Sequence, residues 1–83
     1  MTPKGQILEM LKENAYQKNY NMYLANELPD GKAKEKAKRY VITYGAKVSA
    51  LQDVLRYVFG ENENEIANAM LNGYDKAREE WEK

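Results

Sequence analysis

The sequence predicts an all-α protein, a small bundle of three helices, or four if the first one breaks, closing on a C-terminal antiparallel helical hairpin. Three observations predict it. Apolar side chains recur at steps of three and four through most of the chain, which places them on one face of a helix. The breaks in that pattern coincide with Pro29-Asp30-Gly31 and with Gly60, residue types that end helices and make turns. Only a few residues join the last two periodic segments, which closes them as a hairpin, and 83 residues leave room for one domain.

Thr2 followed by Pro3 reads as an N-cap and a proline at the first helical position. Ile7, Leu8, Leu11 and Ala15 continue the helix. The stretch from Asn14 to Asn21 is polar and holds three Asn, which favour turns. Yet Tyr16, Tyr20 and Tyr23 fall at helical spacing, and Leu24 and Leu28 extend their face. The segment is therefore either one helix to Leu28 or two with a break near Asn19.

From Lys32 to Phe59 runs the strongest pattern. Ala37, Val41, Tyr44, Val48, Leu51, Leu55 and Val58 alternate by 4 and 3 without a slip, giving one continuous stripe. Val54 and Phe59 widen it. The β-favouring run Tyr40 to Tyr44 and Gly45 oppose a helix there, and Gly45 marks the expected place for a kink. Leu51 and Leu55, mid-stripe, are the expected core anchors.

Asn62 and Glu65 read as a reciprocal cap, and the acids at 61, 63 and 65 suit the positive end of a helix dipole. Ile66, Met70, Gly73 or Tyr74, Ala77 and Trp81 supply the stripe of the last helix, with Trp81 pinning its end. Met10, Met22 and Met70 read as core filling. Gly45 and Gly73 are small enough to permit close helix approach. The short connection after Phe59 predicts that the last two helices pack as an antiparallel pair.

The chemistry available is narrow. There is no His and no Cys, which removes the usual neutral-pH base, thiol nucleophiles and most transition-metal sites. Thr43 and Ser49 lack a partnering base, and no phosphate-cradling glycine loop or calcium loop occurs. The expectation is a protein without catalysis and without a cofactor or metal. No apolar run approaches the roughly 18 residues that span a bilayer, and residues 1 to 6 lack the apolar stretch of a secretory signal. A cytoplasmic protein that does not enter membranes is expected.

The formal net charge is zero, but it is segregated: residues 32–47 sum to +5 and residues 61–83 to −4. The basic segment Lys32, Lys34, Lys36, Lys38 and Arg39 has three readings. It faces Glu79, Glu80 and Glu82 at matched heights, across the hairpin of the same chain or in a second subunit if the helices exchange. It is a partner-binding patch with Tyr40. Or it is a solvated face. The first reading is preferred, because each block sits at the unfavourable end of its own helix dipole.

These features point to an interaction module that binds another protein. Candidate contact residues are Tyr16, Tyr20, Tyr23, Lys32, Lys36, Arg39 and Tyr40, since Tyr and Arg favour interfaces. The alternative is a helical nucleic-acid-binding protein using Lys32 to Arg39 and the neighbouring tyrosines. A homo-oligomer sharing stripe residues between subunits is a third reading, because so small a core gains from association. Usage rich in Lys, Asn, Tyr and Glu is typical of AT-rich genomes, including many bacteriophages and mobile elements. It extends the first reading to a modulator or inhibitor of a host factor.

Overall fold

Side-chain caps start the first and last helices in the computed structural model, which describes residues 2–83. The Thr2 hydroxyl accepts from the Gly5 N–H at 3.0 Å and starts α1, Pro3–Glu27. Helix α2, Lys32–Asp53, starts at Gly31, whose φ of 152° lies where side chains are disfavoured. A π-helical turn, Val54–Val58, extends α2. The Asn62 side chain accepts from the Glu65 N–H at 2.9 Å and starts α3, Glu63–Glu82. The reciprocal half of that cap differs from expectation: Glu61, not Glu65, accepts the Asn62 N–H, at 3.1 Å. No strand occurs among the described residues, and the β-favouring run Tyr40 to Tyr44 is helical.

Helix α1 is unbroken through Asn19. Its asparagines do not make turns, because Asn14 and Asn21 donate back to the carbonyls of Met10 and Gln17, at 2.7 and 2.8 Å. Such back-bonding satisfies a side chain inside a helix. It matters most for Asn21, which is buried.

Both other helices pack on α1. Leu28 to Gly31 reverse the chain, so α2 runs antiparallel to α1 and α3 runs back parallel to it. The pairs Lys4–Glu61, Glu13–Lys76 and Tyr23–Trp81 mark the parallel register. On α1, Leu8, Lys12 and Tyr16 lie toward α3, whereas Asn21, Leu24 and Leu28 lie toward α2. By helical phase these sets occupy roughly opposite sides of α1. The core joins all three helices at one end of the molecule: Leu11, Ala15, Val48, Leu55 and Ile66, with Ile7, Leu8, Leu51 and Met70 against them. Among the described residues, only Leu11, Leu55 and Ile66 are large and fully buried. The body is long, 42 × 24 × 20 Å, and exposes 5545 Å², above the roughly 5,000 Å² its mass implies.

The last two helices are antiparallel, but they scarcely touch, because each spends its apolar face on α1. The expected pairing of the two charge blocks is therefore absent. Among the described residues, no basic side chain of residues 32–39 pairs with Glu79, Glu80 or Glu82. Lys34 pairs with Asp30, Lys38 with Glu35, and Glu80 with Lys83.

The stripe of α2 holds until the π turn. Ala37, Val48 and Leu55 are buried, and Val41, Tyr44 and Leu51 are half-buried, but Val58 is 72% exposed. The Phe59 N–H donates to the Val54 carbonyl, five residues back. A turn of that kind holds one extra residue, so Val58 lags the stripe and swings outward. Gly60, at φ 64°, closes the segment. Met10 and Met22 are likewise exposed, not core filling, whereas Met70 packs against the core.

Gly45 produces no break in α2. It lies under the aliphatic stem of Lys18, and an added Cβ would meet that stem at 3.8 Å, an ordinary contact. Gly45→Ala should therefore raise stability by about 0.5–1 kcal/mol through helix propensity alone, measured by urea denaturation. A loss would mean that Lys18 is packed more tightly there than this.

Candidate functional site

Helical phase sorts the basic block into two classes. Lys34 and Lys38 lie toward one flank of α2 and pair with neighbouring acids. Lys32, Lys36 and Arg39 share another face, exposed throughout, with Tyr40 and Thr43. Lys47 continues that face two turns on. Among the described residues, Lys32, Lys36, Arg39 and Lys47 pair with no carboxylate. These four cations span about 22 Å at 1.5 Å per residue.

Tyr40 lies on that face, and Tyr44, half-buried on the apolar stripe, borders it. The Lys36 ammonium stands 5.7 Å from the Tyr40 ring centre, and the Lys47 ammonium 5.2 Å from that of Tyr44. The two rings are 6.0 Å apart, tilted by 42°. Cation–π contacts of this exposed kind hold side chains in place and contribute about 0.5–1 kcal/mol each. Lys36 and Tyr40 also form the rim of an apolar groove between α1 and α2, about 250 Å³, floored by Leu24, Leu28, Ala33 and Ala37. The site is thus an open basic and aromatic face beside an apolar slot. It holds no buried polar atom without a partner and can bind, but offers no positioned base or nucleophile. Among the described residues no group of three carboxylates is placed to hold a metal ion.

The α1 tyrosines stand elsewhere. Tyr23 stacks on Trp81 at 5.8 Å, Tyr20 meets it edge-on at 5.7 Å, and Tyr16 lies 5.8 Å from Tyr20. The Lys76 ammonium sits 4.6 Å from the Tyr16 ring centre. All three tyrosines are half-buried. They clasp the end of α3 to α1, and Trp81 does pin that end, against tyrosines instead of the aliphatic core. The structure separates Tyr16, Tyr20 and Tyr23 from Lys32, Lys36, Arg39 and Tyr40, which it brings together.

Lys47 was not among the expected contact residues, although its spacing from Lys36 and Tyr40 is a helical repeat that carries the signal. Around the turn after α2, Arg56 makes a two-pronged bond to Glu63, at 2.6 and 3.1 Å. That bond holds the Glu63 carboxyl below the ordinary carboxylate range. Glu61 is lowered as well, first by the Asn62 N–H and then by Lys4. These acids are spent on the turn and the caps.

No helix among the described residues is long and apolar enough to cross a membrane. No protein-family model matches the chain, and no curated protein and no solved structure matches it.

Proposed function

We propose that this protein works without catalysis, as an interaction module that docks another protein on the outer face of α2. The observation that carries this reading is the stripe of four unpaired cations, Lys32, Lys36, Arg39 and Lys47, interleaved with Tyr40 and Tyr44. Every other basic residue of α2, namely Lys34 and Lys38, is paired. A partner that fits presents carboxylates to the stripe and an apolar side chain to the slot beside Tyr40. Small size and the Lys-, Asn-, Tyr- and Glu-rich usage support placing the protein among cytoplasmic modulators of a host factor, encoded by phages or mobile elements.

The same stripe supports a second reading, a nucleic-acid backbone lying along α2 with bases on the tyrosines. Salt separates the two. Four phosphate contacts on a single strand would cost about 50-fold in affinity between about 50 and 200 mM salt. A protein seated in the apolar slot would lose about a few-fold, because rim charges act mainly on association rate.

The test uses the double variant Lys36→Glu, Arg39→Glu. Both side chains are exposed, so its melting temperature should stay within a few degrees of wild type. A protein captured from host extract by wild type and bound at least about tenfold more weakly by the variant supports the reading. Equal binding by both would sink it. Steeply salt-dependent oligonucleotide binding, lost in the variant, would favour the second reading.

A further inference from the structure

We infer that a second copy of this chain seats its α3 in the groove on the opposite flank of α2 from the basic stripe. This groove, about 490 Å³, is floored by Met22, Ala25, Val41 and Ile42 and edged by Lys34 and Lys38. Ile42 is 73% exposed and Met22 42% exposed, so the floor is apolar surface without a cover.

The complement is written on α3. Leu71 is the only large apolar side chain of α3 classed as exposed, at 54%. Asp75 and Glu79 follow it at four-residue steps, on the face turned away from α1. On α2, Ile42, Lys38 and Lys34 descend at the same steps. Laid antiparallel, Leu71 meets Ile42, Asp75 meets Lys38 and Glu79 meets Lys34, each step being about 6 Å on both helices. One apolar contact and two opposite-charge contacts then fall in register.

Within the chain, Lys34, Lys38 and Asp75 each hold an ion pair that the contact has to replace, and surface pairs of this kind are weak. Lys34–Asp30, Lys38–Glu35 and Arg78–Asp75 are 3.5, 3.7 and 3.5 Å apart, with Lys34 partly buried and the other five side chains exposed, so they exchange readily. Glu79 pairs with nothing among the described residues. The blocks that fail to meet within one chain meet between two. A zero net charge removes the general repulsion between copies. So small a contact gives a weak assembly, formed only at high protein concentration. It involves a different face from the proposed partner surface, so the two readings stand or fall separately.

Sedimentation equilibrium of the purified chain tests it, from micromolar to about 1 mM protein, at low and high salt. The expected result is a mass that rises above 9.6 kDa with concentration and falls back as salt is added. Two charge reversals sharpen the test: Lys34→Glu with Lys38→Glu, and Asp75→Lys with Glu79→Lys. Each variant alone places like charges at the contact and should stay monomeric. Mixed together, the two become complementary again and should associate at least as well as wild type. Where a charge variant loses helicity by circular dichroism, Ile42→Glu alone should abolish association. A wild-type chain that stays at 9.6 kDa throughout, a mixture that does not associate, or Ile42→Glu associating normally would overturn the proposal.

Discussion

Gly73→Ala is expected to be among the most damaging single-methyl additions in this protein. A Cβ at Gly73 would overlap the Lys12 carbonyl oxygen and approach the Ala15 Cβ at 2.9 Å and the Tyr16 backbone nitrogen at 3.0 Å. None of these is the end of a flexible side chain. Each is fixed by α1 itself, so relief requires the helices to move apart. That movement opens the contacts of Ile66 and Ala77, both buried, and loosens the seat of Trp81 between Tyr20 and Tyr23. Overpacking against side chains costs about 1–3 kcal/mol, and against backbone it belongs at the top of that range or above. Alanine's better helix propensity returns about 1 kcal/mol. The net loss should be at least about 2 kcal/mol, a fall in melting temperature of about 8–16 °C for a domain of this size. Gly45→Ala is the matched control, the same change in a helix interior where the added Cβ meets only the flexible Lys18 stem at an ordinary contact distance, and should shift the other way. If Gly73→Ala melts within a few degrees of wild type, α1 and α3 do not cross this closely.

That contrast also marks what local sequence can say about this fold. The caps at Thr2 and Asn62, the turns at Pro29 to Gly31 and at Gly60, and the stripe from Ala37 to Leu55 are local signals, and each is where the residues place it. Which helices pair is not local. Both connections are short, so loop length joins α2 to α1 as readily as to α3. The deciding feature is the small-residue crossing of Gly73 on Ala15, between residues far apart in sequence. Without it, α2 and α3 read as mutual partners and their charge blocks as a match. The π turn was equally hidden, because the i→i+5 bond that swings Val58 out leaves the 4 and 3 spacing intact in sequence. For the binding surface, the basic block is visible as composition. Only helical phase, together with acids at positions 30 and 35, separates the paired Lys34 and Lys38 from the free Lys32, Lys36 and Arg39. The tyrosines of α1 share a face as expected. What covers that face, Trp81, lies nearly sixty residues away.

Leu55→Ala should cost more than any other truncation along the α2 stripe. Leu51 and Leu55 look equivalent in sequence, one helical turn apart on one face, but they are not equivalent in the fold. Leu55 is completely buried at the junction where all three helices contribute to the core, whereas Leu51 is half-buried at its edge. Truncating a buried leucine costs about 2–5 kcal/mol, rising with the cavity left behind. Two features hold that cavity open here. Leu55 lies within the π turn, and its carbonyl accepts the Glu61 N–H at 2.8 Å. The turn beyond is tied down by the Arg56–Glu63 bond at 2.6 Å and the Lys4–Glu61 pair at 3.2 Å. The backbone around Leu55 therefore cannot settle inward easily, and the loss should lie in the upper half of that range. Domains of this length have about 4–12 kcal/mol in total, so a large share of the variant should unfold at modest urea. At Leu51 the truncated side chain leaves a notch open to water, and the loss should be about 1 kcal/mol. Urea denaturation of both variants, with the slope checked for unchanged two-state behaviour, measures the difference. Equal losses would mean that position on the stripe, and not depth in the three-helix junction, sets what each leucine contributes.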